Sequence, residues 1–93
     1  MKYEIERTSH FKRDYKTAVK RHCDMSALRK VVNLLANGET LPVEYRDHLL
    51  TGDYTGYREC HVEPNWLLIY KITEKVLILT LYRTGTHSDL FKR

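Results

Sequence analysis

The sequence predicts an α+β domain of order β-α-α-β-β-β, with two N-terminal helices packed on one face of an antiparallel-rich sheet. Three observations predict it. Apolar residues recur at helical spacing between residues 9 and 36, three runs of strand character follow residue 56, and Asn37-Gly38 stops the helical region. Ninety-three residues make one domain, 1–93, because either half alone is too short to bury a core. A hydrophobic content of 42% supports a modest core and excludes a disordered chain. The length excludes architectures that need a cofactor-binding unit beside a substrate domain.

Lys2 to Thr8 alternates Tyr3, Ile5 and Arg7 against Lys2, Glu4 and Glu6, the period of a short strand. Thr8 and Ser9 can cap a helix in which Phe11, Tyr15, Ala18, Val19 and His22 share helical spacing. Asp24 caps a second helix with the stripe Met25, Leu28, Val32 and Leu35, joined to the first by a tight turn. Residues 39–56 lack a period and contain Pro42, Gly52 and Gly56, which predicts an ordered loop. Tyr57 to Val62 alternates as a strand, and Pro64-Asn65 turns the chain. Trp66 to Ile72 is apolar on both parities, the pattern of a central strand or of a short buried helix. Thr73-Glu74-Lys75 turns again into a last strand, Val76 to Thr84. After Gly85, Thr86 and Asp89 have capping-box spacing for one helical turn.

Charge narrows the partners. The net charge is +4, but residues 1–30 hold nine Lys and Arg against four acids, while residues 39–63 hold two against six. The basic excess at both ends of the chain suggests a polyanionic partner. The longest apolar run, Trp66 to Tyr70, is far short of the ~18–20 residues that cross a bilayer, and the first residues show no secretory pattern. Cys23 and Cys60 read as two reduced thiols in a cytoplasmic protein, with no disulfide framework.

Five histidines are many for this length. His10 and His22 fall at the ends of the basic helix, where structural or surface roles suffice. His48, His61 and His87 fall in the long loop, at a strand end and after the last strand, where a rigid scaffold presents chemistry. A helical turn from Thr86 sets His87 and Phe91 four apart on one face. Phe91 there either stacks a splayed base or anchors the terminus in the core. Arg83 supplies a cation for phosphate or stays solvated.

RNA carries its own nucleophile, the 2′-hydroxyl, so its cleavage needs a base, an acid and cationic stabilisation of the phosphorane. Two or more histidines and an arginine suffice without metal or cofactor. Competing chemistries lack their spacing. His22-Cys23 and Cys60-His61 are adjacent pairs, unlike the ligand spacings that close a zinc site, and strand alternation sends His61 away from a Cys60 nucleophile. No Gly-rich phosphate loop is present.

Asp47-His48-Leu49-Leu50, Gly56 to Trp66 (Gly-Tyr-Arg-Glu-Cys-His-Val-Glu-Pro-Asn-Trp), Leu68-Ile69-Tyr70-Lys71 and Arg83 to Phe91 (Arg-Thr-Gly-Thr-His-Ser-Asp-Leu-Phe) resemble the YafQ family, within the RelE/ParE superfamily of type II toxins. The resemblance spans nearly the whole chain. It implies a RelE-like microbial RNase fold, cleavage of mRNA in the ribosomal A site, and neutralisation by a cognate antitoxin, a small DNA-binding protein, in a hetero-oligomer. By position it implies catalytic roles for His48, His61 and His87, a base-stacking role for Phe91 and a phosphate contact for Arg83. Where the family carries an aspartate, this chain has Asn65 at a substrate-binding position. An amide holds a hydrogen bond but can neither exchange a proton nor offset an imidazolium. Lys12, Arg13, Lys16, Lys20 and Arg21, along the first helix, would rest on ribosomal RNA phosphates.

Two other classes fit parts of this pattern. A non-catalytic basic nucleic-acid-binding module, or a toxin-like co-repressor, accounts equally for charge and fold. A gyrase poison of the same superfamily leaves the histidines without a task.

Overall fold

The computed structural model describes residues 1–91. β1 (Glu4–Arg7) leads into α1 (Ser9–Lys20), and α2 (Met25–Ala36) follows after a short turn. Both helix starts are capped as the sequence predicts: the Thr8 hydroxyl accepts from the Phe11 N–H at 3.0 Å, and Asp24 accepts from the Ser26 N–H at 3.1 Å. Both helices end in the same way. Cys23 N–H donates to the Ala18 carbonyl and His22 N–H to that of Val19; Glu39 and Gly38 repeat the pattern on Leu34 and Leu35. Gly38 and His22 occupy the left-handed position of each motif, with φ of 78° and 61°. His22 therefore lies outside the apolar face predicted for it, as the residue that closes α1. Tyr15 and Val19 are also exposed, leaving Phe11 and Ala18 as the buried residues of α1.

The other strands are β2 (His48–Leu49), β3 (Arg58–Glu63), β4 (Trp66–Thr73) and β5 (Ile78–Gly85), and α3 (His87–Leu90) closes the described chain. The sheet order is β1-β5-β4-β3-β2, with β1 parallel to β5 and the remaining pairs antiparallel. Trp66–Tyr70 is a strand, settling the strand-or-helix choice. It is buried throughout because its two faces meet two cores. Leu68 and Tyr70 join α1, α2 and β5 in the main core, while Leu67 and Ile69 join Leu90, Tyr54, Tyr57, Tyr82 and Phe91 on the opposite face.

Two expectations are corrected. The segment read as loop, residues 39–56, contains β2, which pairs His48 with Glu59 and Leu49 with Arg58. Two residues are too few to show a period. The last strand starts at Ile78 instead of Val76, because Glu74–Val76 forms a 3-10 turn and Leu77 takes a left-handed φ of 54°. A bulge also shifts the β4–β5 register. Tyr70 pairs with Leu81 and Ile69 with Arg83, so Tyr82 has no partner in β4. The extra residue reverses the parity of the strand end and brings Thr84 opposite Leu68. There the Thr84 hydroxyl accepts from the Trp66 indole at 2.8 Å and donates to the Leu67 carbonyl at 2.6 Å, satisfying both buried groups.

Candidate active site

The site is built on the sheet face away from α1 and α2. Strand alternation sends Cys60 and Val62 into the main core and leaves Glu59 and His61 on this face. The β2–β3 pairing places His48 directly opposite Glu59. The Glu59 carboxylate, with a side chain only 4% exposed, stands between two imidazoles: its Oε1 is 3.5 Å from Nε2 of His48 and 3.9 Å from Nε2 of His61. The Arg46 carbonyl accepts from Nδ1 of His48 at 2.7 Å, so that nitrogen bears a proton and Nε2 is the one facing Glu59. The Arg46 backbone reaches this position by a left-handed φ of 50°.

α3 brings the third histidine. Its capping box is complete: the Thr86 hydroxyl accepts from the Asp89 N–H at 3.2 Å, and the Asp89 carboxylate accepts from the Thr86 N–H at 2.9 Å. The His87 ring lies with its centroid 6.0 Å from that of His61 and 5.8 Å from that of Phe91. Phe91 meets Tyr54 edge-on at 5.3 Å, and the Tyr54 hydroxyl donates to the Leu90 carbonyl at 2.9 Å. Phe91 is half-buried: it packs on the small core, the anchoring role of the two the sequence left open, and keeps part of its surface in solvent beside His87.

Arg83 lies close by, lining a cavity with Tyr54, Leu90 and Phe91. It is not a free cation. Its Nε and Nη2 donate to Asp14 of α1 at 2.7 and 3.2 Å, and Asp14 also accepts from the Thr84 N–H at 3.1 Å. The hydrogen bond to Asp14 raises the Arg83 pKa further, so the guanidinium stays charged and fixed in direction. Asn65, exposed at the β3–β4 turn, lines a neighbouring groove with Asp14, Arg21, Arg83 and Asp89. Lys12, Arg13, Lys16 and Lys20 are exposed on α1, and among the described residues no carboxylate pairs with them. Arg21 differs from them, gripping Asp89 at 2.6 Å.

Sequence reasoning missed four residues that shape the site. Glu59 and His61 are two apart on a strand, which was a usable signal for a shared face. Asp14 and Tyr54 come from distant segments and give no such signal. Asp47 beside His48 accepts from Arg58 at 3.1 Å and from the Tyr70 hydroxyl, locking the start of β2 to β3 and β4. Burial raises the Tyr70 pKa, with Asp47 adding to it, so this phenol remains a donor. Burial likewise raises the Cys60 thiol, which holds it protonated and removes it as a nucleophile.

Three imidazoles and an aromatic ring at the edge of the small core, with a fixed arginine beside them, mark a small α+β protein whose side chains can move protons and hold an anion. The family model described as "Bacterial toxin of type II toxin-antitoxin system, YafQ" matches residues 3–92. The chain is 48% identical over 89 residues to the mRNA interferase toxin YafQ of Escherichia coli K12, covering 95% of each chain. Its fold is similar to the crystal structure of YafQ from E. coli BL21(DE3), with a TM-score of 0.90 at 46% identity, covering 96% of this chain and 98% of that one. It is also similar to YafQ in the crystal structure of the E. coli DinJ–YafQ complex, with a TM-score of 0.87 at 47% identity and the same coverage. The protein belongs to the YafQ family of bacterial toxins of type II toxin–antitoxin systems.

Proposed function

We infer that this toxin is an mRNA interferase, an endoribonuclease that cuts translated mRNA in the ribosomal A site. The observation that carries this reading is the grouping of His48, His61 and His87 around Glu59 and Phe91 on one accessible face. The E. coli relatives bearing the name mRNA interferase support it.

In this mechanism Phe91 stacks a base next to the scissile bond and holds the phosphodiester over the histidines. One imidazole of the His48–His61 pair takes the 2′-hydroxyl proton, and the 2′-oxygen attacks phosphorus. Glu59, facing Nε2 of both rings, offsets the positive charge gained by the one that accepts the proton. Arg83, aimed by Asp14, stabilises the phosphorane with its remaining N–H groups. His87 protonates the 5′-oxygen as the P–O bond breaks, leaving a 2′,3′-cyclic phosphate and a 5′-hydroxyl. These steps use no metal or cofactor. Proton transfer and charge stabilisation together contribute roughly 10⁴–10⁶-fold, and positioning on the ribosome adds more.

Lys12, Arg13, Lys16 and Lys20 rest on ribosomal RNA and supply salt-sensitive affinity. The protein works in the cytoplasm, where its message is translated; no helix among the described residues is long and apolar enough to cross a membrane. A cognate antitoxin neutralises it in a hetero-oligomer, as DinJ pairs with YafQ in the E. coli complex. An acidic segment or amphipathic helix would suit its basic surface.

Asn65, an amide on the rim of the site, favours one competing reading, a non-catalytic RNA- or DNA-binding co-repressor. Product chemistry separates the two. Induced expression followed by primer extension on a translated message should give discrete cuts with cyclic-phosphate and 5′-hydroxyl ends. Intact RNA at saturating toxin would leave only binding.

A further inference from the structure

We propose that Arg21 is a positioning residue for His87, holding α3 against α1 through Asp89 so that the imidazole keeps its place over the scissile bond. This rests on the interferase reading and assigns Arg21 a different task from the lysines beside it.

α3 is a single turn, too short to persist unaided, because helix nucleation fixes several dihedral angles for one hydrogen bond. Asp89 holds it from two sides. One is local: its Oδ2 caps the turn at the Thr86 N–H. The other is tertiary: Arg21 donates Nη1 to Oδ2 at 2.6 Å and Nη2 to Oδ1 at 3.3 Å, a two-point grip that fixes direction as well as distance. Both ends of that grip are anchored. Arg21 terminates α1, held by its own N–H on Thr17 and by the closing turn of His22 and Cys23. Asp89 packs on the end of β5, where a Cβ at Gly85 would stand 2.9 Å from its Oδ2. One helical face of α1 thus makes two attachments, Asp14 to Arg83 on β5 and Arg21 to Asp89 on α3. Together they set where α3 stands relative to the sheet that carries His61. The pair is partly solvent-accessible, so its contribution to global stability is modest and its main effect is on geometry.

The test compares Arg21→Ala, Arg21→Lys, Asp89→Asn and the double variant R21A/D89N. Asparagine keeps an acceptor for the cap while losing the charged grip. Steady-state cleavage of mRNA on programmed ribosomes should show kcat reduced roughly tenfold in R21A and in D89N. KM should stay within about twofold, the double variant should be no slower than the slower single one, and R21K should recover part of the rate. The His87 ring resonance of the free toxin should shift or broaden in R21A and D89N.

If Arg21 instead touches RNA phosphate, R21A raises KM and lowers the salt slope by about one while D89N does neither, which overturns the proposal. An unmoved His87 resonance overturns it whatever the rates do. Should the parent protein leave translated mRNA uncut, the interferase reading fails, and the resonance of the RNA-free protein still decides whether the tether holds His87.

Discussion

Glu59 and His48 face each other across the β2–β3 ladder, with the carboxylate Oε1 3.5 Å from the imidazole Nε2. The strand carrying His48 is two residues long, so this register is kept by its surroundings: Asp47 is tied to Arg58 and Tyr70, and the Leu50 N–H donates to the Tyr57 carbonyl at 2.9 Å. A buried acid beside two histidines costs solvation, and the proposed proton transfer gives that cost a use.

Glu59→Gln tests that role. The amide keeps the volume and the hydrogen-bonding capacity but cannot offset an imidazolium, so the single-turnover cleavage rate should fall roughly 10–100-fold. An unchanged rate would show Glu59 to be a packing residue.

Replacing His87 by alanine removes the proposed general acid. Cleavage of translated mRNA should drop about 10²–10⁴-fold, and growth inhibition should disappear. The side chain is exposed, so the melting temperature should move by no more than about 3 °C. A correctly folded variant that cuts at the parental rate would require another acid.

Asn65→Asp should cleave as fast as the parent or faster, since a carboxylate can offset an imidazolium or exchange a proton and the amide in the groove beside Arg83 cannot. A large loss in the same assay would show that the amide itself holds the substrate.

Asp14→Ala strands Arg83 and removes the acceptor of the Thr84 N–H. Losing these charge-assisted hydrogen bonds in a partly buried place should cost about 2 kcal/mol. For a domain of this size that lowers the melting temperature by about 10 °C, readable by thermal denaturation.

Asp89 gives a pH signature. Its hydrogen bond with Arg21 lowers its pKa from 3.8 to about 2. A depressed carboxylate stabilises the fold above its unfolded value, and that stabilisation drains away as pH falls from about 4 towards 2. Melting temperatures recorded across that window should decline less steeply in D89N than in the parent. Parallel curves would mean that Asp89 gains nothing from folding.

Much of the architecture is legible from local chemistry. The caps at Thr8, Asp24 and Thr86, the stop at Gly38 and the doubly apolar run from Trp66 each depend on a few neighbouring residues, and each is found in the structure. The pairing of His87 with Phe91 follows from helical spacing for the same reason. Less legible are β2, too brief for periodicity, and the bulge at Tyr82, which reverses the parity of the strand end. Arg21 was grouped with four lysine and arginine neighbours because sequence shows its charge and not its partner, which stands 68 residues away.

The sequence by itself determined which side chains can exchange protons, which helices form and where they begin, because those properties reside in residue type and short-range spacing. Only the tertiary structure decided that Glu59 joins two histidines, that Asp14 aims Arg83, and that Arg21 holds the turn bearing His87. Each of these unites segments far apart along the chain, and the register of a twisted sheet is what sets their distance in space.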